Sequence, residues 1–556
     1  MGSLSKGRRS QGASLSSLLT ISLLSATAVH AAPAVPTSSV PGRIEPNLIR
    51  EQIERDQQQK AIEERANRVE VPALRGDAPA DQVLPDQGQR FTLSGITFNA
   101  SVYIDRATLE GIAKGFIGHP ISFEDLNGLL RQINSRYEQQ KQLTARAIIP
   151  PQSLDNGVLK VVLVEAKVDA VAWQGQPTRV KPAFYEARLP LKVGETLDSP
   201  ALMNAIQRFN ATTPGPQVTA SLAPGHKFGT TQVDLQAFEP DPWQWTAFLN
   251  NYGTEGTGRE QYGGTLTWFS PTGVADALSA TAVATAGSQY GSLRYSRPVN
   301  TYNGVVYAEV GANTLKIKKG PFAALDIKGD SQTYGLGYDQ PKWVDEHWNL
   351  LGGVAYDHQV SSTTIQGLDL SDTTVDEFTL KGQLEYRAAP WYGRYEQRLR
   401  QASTDNSVTG ESGSFQLLNG DGYLSRDFGQ RFTGVARFGW QYATNPRELP
   451  STLLYQFGGI SSVRGYDPGV IASPQGMTLN LEWYWNLSER WQPFAFFDYG
   501  RAMQLGTADV DLQSVGVGLN FKFNKHLSVS LVAANTLKDV VADQDSSQVL
   551  AQIILR

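Results

Sequence analysis

Apolar and polar residues alternate one by one through the chain beyond Pro242, most regularly in three segments near its end. Met477, Leu479, Leu481, Trp483 and Trp485 alternate with Thr478, Asn480, Glu482 and Tyr484. Val515, Val517, Leu519, Phe521 and Phe523 alternate with Gly516, Gly518, Asn520 and Lys522, and Leu527, Val529, Leu531 and Ala533 share a face. Period two predicts strands with one apolar face. Large aromatics sit at the strand ends on that face, as interfacial girdles do. The opposite face is small and polar, which suits a wet lumen better than a packed core. Residues 242–556 number 315 (556 − 241). At roughly 10 residues per membrane strand plus connections, that length allows about 16 strands. A closed antiparallel barrel leaves no unpaired backbone edge in lipid, whereas an open sheet does.

Before Pro242 the period is helical, in two units of similar build, 91–167 and 168–240. The first opens with a strand, Phe91 to Phe98, and a helix from about Asp105 to Lys114. Ser122-Phe-Glu-Asp125 has the form of a capping box, with Asp in the acidic position. Leu126, Leu129, Leu130, Ile133 and Tyr137 follow as one buried helical stripe. Strands at Ala145 to Ile149 and Val158 to Glu165 close the unit, the second after an Asp-Asn-Gly turn. The second unit repeats the order, with Leu202, Ile206 and Phe209 on its helix and a final hairpin turning at Pro224-Gly225. The expected fold is thus a transmembrane antiparallel β-barrel of about 16 strands preceded by two small α+β domains.

The segment from Arg43 to Arg68 is polar and helix-prone, with Glu51 and Arg55, Asp56 and Lys60, and Glu64 and Arg68 at i,i+4 spacing. Leu48, Ile49, Ile53 and Ile62 are too sparse for a packed face. A helix polar all round needs support from its own ion pairs or from a water-lined cavity; a solvated N-terminal arm is the competing reading. Residues 69–90, rich in Pro, Asp and Gly, read as a flexible linker. At the start of the chain, Lys6, Arg8 and Arg9 precede an apolar run from about Leu15 to Ala28 and then Val29-His-Ala-Ala32. That order reads as a Sec-type signal peptide over 1–31, cut after Ala31. The run is broken by serines and short for a membrane anchor.

Composition narrows the chemistry. The 556 residues include no cysteine, which excludes disulfides and thiolate metal sites, and the six histidines form no His-x-x-x-His pair. No Gly-x-x-x-x-Gly-Lys-Ser/Thr loop is present to hold a nucleotide. A net charge of −5 is mild for this length and argues against a nucleic-acid binder. The sequence offers no triad, carboxylate pair or metal spacing, so no catalytic residue, cofactor or metal is expected.

One loop carries an unexplained charge: Gly-Gly-Ile-Ser-Ser-Val-Arg-Gly-Tyr-Asp-Pro-Gly, residues 458–469. Its arginine, Arg464, precedes the strand at Met477 to Trp485, and the next strand contains Phe494-Ala-Phe-Phe-Asp-Tyr-Gly500. Period two puts Phe496, Asp498 and Gly500 on one face. A mid-strand carboxylate facing lipid is costly, so Asp498 is expected in the lumen. A loop folded back into the barrel brings Arg464 against it, in a pair that fixes orientation as well as supplying energy. Gly465 allows close approach and Tyr466 packs on the wall. A solvated arginine on a surface loop is the alternative.

Phe457-Gly-Gly-Ile-Ser-Ser-Val-Arg-Gly-Tyr466 and Phe496-Phe-Asp-Tyr-Gly500 resemble the two hallmark motifs of the Omp85 superfamily. More narrowly, the chain resembles the two-partner secretion transporters of the ShlB/FhaC/HecB family. Pro150-Pro-Gln152, Gly157-Val-Leu159 and Val164-Glu165 are similar to the end of that family's first POTRA domain, and Pro224-Gly225 with Gly229-Thr-Thr231 to the end of its second. Asn251-Tyr-Gly253 with Thr257-Gly258, and Tyr295-Ser-Arg-Pro298, resemble early barrel motifs. There are two departures. Glu165 is followed by Ala166 where the family usually has Gly, and the chain ends in Arg556 in place of an aromatic, although Val549, Ala551, Ile553 and Leu555 still alternate.

The resemblance implies a 16-stranded outer-membrane barrel over 242–556, POTRA domains at 91–167 and 168–240 in the periplasm, and a pore-plugging helix at 43–68. It implies a loop-six motif, Val463, Arg464, Gly465 and Tyr466, set against a barrel-wall motif, Phe496, Asp498 and Gly500. It further implies an exporter whose partner is a secreted exoprotein with an N-terminal two-partner secretion domain. Its other partners are outer-membrane lipid and, during biogenesis, the barrel-assembly machinery. In the mechanism expected of such an exporter, cargo docks on the POTRA domains by strand addition, the plug leaves, and folding outside makes passage directional. An Omp85-type barrel-assembly factor and a passive porin are the rival readings.

Overall fold

The structure, a computed structural model, describes Arg50, Glu54, Arg55, Gln58, Ile62 and residues 74–76, 80–85, 88–320, 322–504, 506, 508–542 and 544–556. The expected signal peptide and most of the 43–68 helix lie outside the described residues. So does at least one member of each expected ion pair in that helix. Among the described residues no helix is long and apolar enough to cross a membrane.

Sixteen antiparallel strands, from Trp243–Asn250 to Ser547–Leu555, close into a barrel. Closure is made by the first and last of these, with Ala247, Phe248, Leu249 and Asn250 opposite Leu555, Ile554, Ile553 and Gln552. Alternation sets the faces. Met477, Leu481, Trp483 and Trp485 are exposed on the outside, while Thr478, Asn480 and Glu482 are buried on the inside. Aromatics cluster at one rim: Trp243 stacks on Trp268, Phe432 on Trp485, and Trp491 meets Phe521. Each of these lies at or near the strand end on the side of the two α+β domains, where an amphipathic ring suits a membrane–water boundary.

In the first α+β domain, helices Arg106–Lys114 and Phe123–Gln139 cover a sheet of Gly95–Phe98, Val158–Glu165 and Ala145–Ile148, with Val158–Glu165 in the middle. The capping box forms: the Asp125 N–H donates to Ser122 Oγ and the Ser122 N–H to Asp125 Oδ2. Leu129, Leu130, Ile133 and Tyr137 are fully buried beneath it. The expected Phe91–Phe98 strand is divided. Phe91 pairs with Ile121, but from Gly95 the chain pairs with Val158, and the Ser94 N–H donates to the Gly157 carbonyl (2.8 Å) where it changes partner.

The second α+β domain places helices Pro182–Glu186 and Ser199–Thr212 on strands Lys167–Trp173, Gln217–Pro224 and Thr230–Phe238. Its core does not stop at the domain border. Phe269 and Ala275, beside the turn between the second and third barrel strands, belong to the same apolar cluster as Tyr185, Ile206 and Phe209. The Lys181 N–H donates to the Gly273 carbonyl (3.0 Å), and Arg188 donates to Asn303 Oδ1 (2.7 Å) and the Asn300 carbonyl (2.8 Å) in the next turn.

Within 69–90, Leu74–Arg75 and Asp81–Leu84 depart from the expected flexible linker. Leu74–Arg75 form a fourth strand, parallel to Gln217–Pro224, and Asp81, Gln82 and Leu84 are hydrogen-bonded to the first domain. The Pro, Asp and Gly content that suggested flexibility reports local turn preference. It carries no information about a distant strand edge.

Candidate functional site

Between strands Phe432–Ala443 and Gln475–Trp485 the chain enters the lumen. Tyr455–Phe457 and Ile471–Ser473 pair as a short hairpin there, and both are buried. Phe457, Val463, Tyr466, Val470 and Ile471 pack with Ala502 and Leu512 of the wall. The loop therefore carries its own apolar core against the barrel, which lets a charged tip be buried against the inner wall.

Arg464 is that tip. Its Nε and Nη2 donate to Asp498 Oδ2 and Oδ1 at 2.7 and 2.6 Å, and its backbone N–H adds a third bond to Oδ2 at 3.0 Å. Nη1 donates to Glu482 Oε1 at 2.7 Å. The guanidinium lies over the Phe496 ring, 3.7 Å from its centre, adding a cation–π attraction. Arg464 is 4 % exposed and Asp498 is 0 % exposed. Glu482 also accepts from Arg437 Nη1 (2.5 Å) and the Tyr484 hydroxyl (2.7 Å). Asn480 Nδ2 donates to Asp498 Oδ1 (2.8 Å) and to the Ser462 carbonyl (2.5 Å). Two guanidinium groups thus balance two carboxylates in a buried network, the condition under which buried charge is tolerated.

The two motif glycines act sterically. Gly465 holds φ +88, and a Cβ there would come within 3.2 Å of Thr536 Cγ2. Gly500 faces the loop: a Cβ would stand 2.8 Å from Val463 Cγ2 and 3.1 Å from Phe457. Tyr466 is buried, its hydroxyl donating to the Lys538 carbonyl (2.7 Å) and accepting from the Gln513 N–H (3.1 Å). All seven predicted site residues, Val463 to Tyr466 with Phe496, Asp498 and Gly500, meet in this one region.

Sequence reasoning singled out neither Glu482 nor Arg437 nor Asp467. Glu482 was within reach, since it shares the inner face of its strand with Asn480. Asp467 accepts from Arg259 Nη1 and from Gln548 Nε2, both at 2.8 Å, and ties the loop to the 251–260 connection and the last strand. No local pattern signals that contact across the barrel.

The described helical residues Arg50, Arg55 and Ile62 line the same lumen. Arg50 Nη2 donates to Gln359 Oε1 (2.9 Å) and pairs with Glu54. Arg55 lies 5.5 Å from the centre of the Tyr455 ring, at the base of the inward hairpin. Ile62 packs against Tyr392, Tyr423 and Val435 of the wall. Among the described residues no cluster of three or more His, Cys, Asp or Glu could hold a metal ion.

Residues 229–523, more than half of the chain, match the sequence model of the haemolysin secretion/activation protein ShlB/FhaC/HecB family. Residues 91–166 match the POTRA domain of ShlB type. The outer membrane transporter CdiB of Dickeya dadantii (strain 3937) is 29% identical over 219 residues, 39% of this chain and 37% of that protein. The chain thus aligns with little more than a third of that relative. The heme/hemopexin transporter protein HuxB of Haemophilus influenzae (strain 86-028NP) is 23% identical over 476 residues, 79% of this chain and 82% of that protein. The solved structure of CdiB from Escherichia coli superposes with a TM-score of 0.68 over 94% of this chain and 99% of its own, at 18% identity, and so shares the fold.

Proposed function

Because the chain belongs to the ShlB/FhaC/HecB family of two-partner secretion transporters, outer-membrane barrels with periplasmic POTRA domains, we propose that it binds an unfolded exoprotein on those domains and exports it through the barrel. The observation that carries this reading is the Arg464–Asp498–Glu482 network, which holds a long loop inside a lumen that Arg50, Arg55 and Ile62 also line. A passive porin needs neither POTRA domains nor a plug. In the proposed cycle an extended segment of cargo adds to a POTRA sheet edge, the N-terminal helix leaves the lumen, and the cargo threads past polar walls. The sequence shows no nucleotide loop, so folding at the cell surface supplies direction. Arg464 acts as a positioning residue that keeps the loop in its transport-competent seat.

The test is secretion of a candidate exoprotein with an N-terminal two-partner secretion domain, co-expressed with the intact transporter and with Arg464→Ala. Exoprotein in the medium with the intact chain, and retained in the periplasm with a folded Arg464→Ala barrel, is expected. Retention with the intact chain as well would turn the reading towards a barrel-assembly role.

A further inference from the structure

A cation stands among the aromatic residues of the periplasmic rim. Arg426 lies near the end of strand Ser412–Phe428, on the side of the POTRA domains, and is exposed. Alternation turns it to the outer face with Leu424 and Phe428, which are exposed as well. Asp427 falls on the opposite face, where its carboxylate accepts from Thr433 Oγ1 (2.7 Å).

The neighbours of Arg426 on the outer face are rings. Trp391 stands directly opposite on the preceding strand, and the guanidinium carbon lies 4.8 Å from the centre of that ring and 4.7 Å from the centre of Phe428. Opposite on the following strand is Gly434, with Trp483 beyond it in the same row. A Cβ on Gly434 would stand 3.2 Å from Phe428 Cε2 and 3.3 Å from Trp483 Cζ3. Phe428 and Trp483 thus close over the glycine, their ring centres 4.9 Å apart. The guanidinium sits between an indole on one side and a ring cluster on the other.

This cation lacks an anion. Among the described residues its guanidinium touches rings and makes no ion pair or hydrogen bond. Stacking engages the face of a guanidinium and leaves its in-plane N–H groups free to grip a phosphate with two parallel bonds. Depth selects which phosphate is in reach. Leu424 and Leu481, one step further from the POTRA domains on the same outer face, are exposed aliphatic side chains, so the apolar band begins beside Arg426. An unpaired charge at that boundary is costly against hydrocarbon and is stabilised by an anionic headgroup.

We infer that Arg426, held between Trp391 and Phe428, binds the phosphate of a phospholipid in the periplasmic leaflet. Two of its N–H groups donate to phosphate oxygens, and the rings on either side take the glycerol and the upper acyl chains. The second POTRA domain is hydrogen-bonded to the turns at 270–276 and 299–304, after the second and fourth barrel strands, whereas Arg426 is on the tenth of sixteen. The lipid therefore anchors the side of the barrel away from the POTRA domains.

The test uses the purified full-length protein in detergent, titrated with dioleoylphosphatidylglycerol and followed by native mass spectrometry. Dioleoylglycerol, with the same chains and no phosphate, and inorganic phosphate, the anion without chains, are the comparison probes. The unaltered protein is expected to retain one phosphatidylglycerol more tightly than any others. Arg426→Gln is expected to weaken that binding about tenfold, whereas Arg490→Gln, in the exposed turn after Trp485, leaves it unchanged. Arg426→Met keeps an apolar stem on the same rings and is expected to match Arg426→Gln, so it decides the matter if the first variant does not fold. Retention equal to that of the unaltered protein in a folded Arg426→Gln or Arg426→Met barrel would overturn the proposal. Equally tight dioleoylglycerol would also overturn it, by making the site one for acyl chains alone. Displacement of the lipid by an equal concentration of inorganic phosphate would assign the site to a free anion and overturn the lipid.

Discussion

Arg464 and Asp498, on a loop and a strand 34 positions apart, meet inside the barrel in a two-pronged pair at 2.6 and 2.7 Å. Removing one member of a buried pair strands the other, at about 3–5 kcal/mol. Arg464→Ala is therefore expected to lower the temperature at which the heat-modifiable barrel unfolds on a gel. Adding Asp498→Asn should recover part of that loss, because the bare carboxylate is gone. Equal losses for the single and double variants would count against the pair.

Gly500 and Val463 make a steric counterpart to that pair. Gly500→Ala puts a methyl group 2.8 Å from Val463 Cγ2, an overpacking expected to destabilise by about 1–3 kcal/mol. Val463→Ala in the same chain makes room and should restore part of the unfolding temperature. Failure of the second change to compensate would mean that the loop does not sit where Gly500 meets it.

Glu239 gives the joint between the second POTRA domain and the barrel a pH dependence. Its carboxylate accepts from the backbone N–H groups of Thr178, Arg179 and Val180 at 3.0, 2.9 and 2.9 Å, and from the Tyr185 hydroxyl. Burial opposes the charge, but the backbone donors at Val180, Arg179 and Thr178 outweigh it and hold the carboxyl below its ordinary value of 4.5. A lowered native value means that the clamp is fully present above 4.5 and is lost as pH falls through the lowered one. Hydrogen exchange at residues 178–180 should be slower in the unaltered chain than in Glu239→Gln at neutral pH, and the difference should vanish in acid. A difference that persists in acid would assign the protection to something else.

Ile62 offers a test of the lumenal helix. It packs on Tyr392, Tyr423 and Val435, so Ile62→Asp removes that apolar contact and should loosen the segment's hold on the pore. Single-channel conductance in a planar bilayer is expected to rise, with longer open times. Unchanged conductance would mean that the helix does not limit ion flow.

Much of the architecture was legible because strand periodicity is local. Tyr484 and Trp485 point to opposite faces for reasons present within a few residues of chain, and the aromatic strand ends announced a bilayer. The inward face of Asp498 follows from the same rule and from the price of a carboxylate in lipid. The partner of that carboxylate was a choice between a folded-back loop and a solvated one, and only the resemblance of the two motifs leaned towards the first. Glu482 sat in plain view on the polar face of its strand but had no visible neighbour to give it meaning.

Sequence alone thus determined which segments are strands, which faces meet lipid, and where two small α+β domains begin to give way to a barrel. The tertiary structure decided what the buried charges hold. Arg464 joins Asp498 and Glu482, Asp467 joins Arg259 and Gln548, and Leu74 joins Ala220. Each of these contacts spans residues far apart in the chain, and each exists only because closure of the barrel and packing of the POTRA sheets bring its members together. Hydrophobic period is written into neighbouring residues, whereas the geometry of an ion pair or a borrowed strand edge belongs to the folded whole.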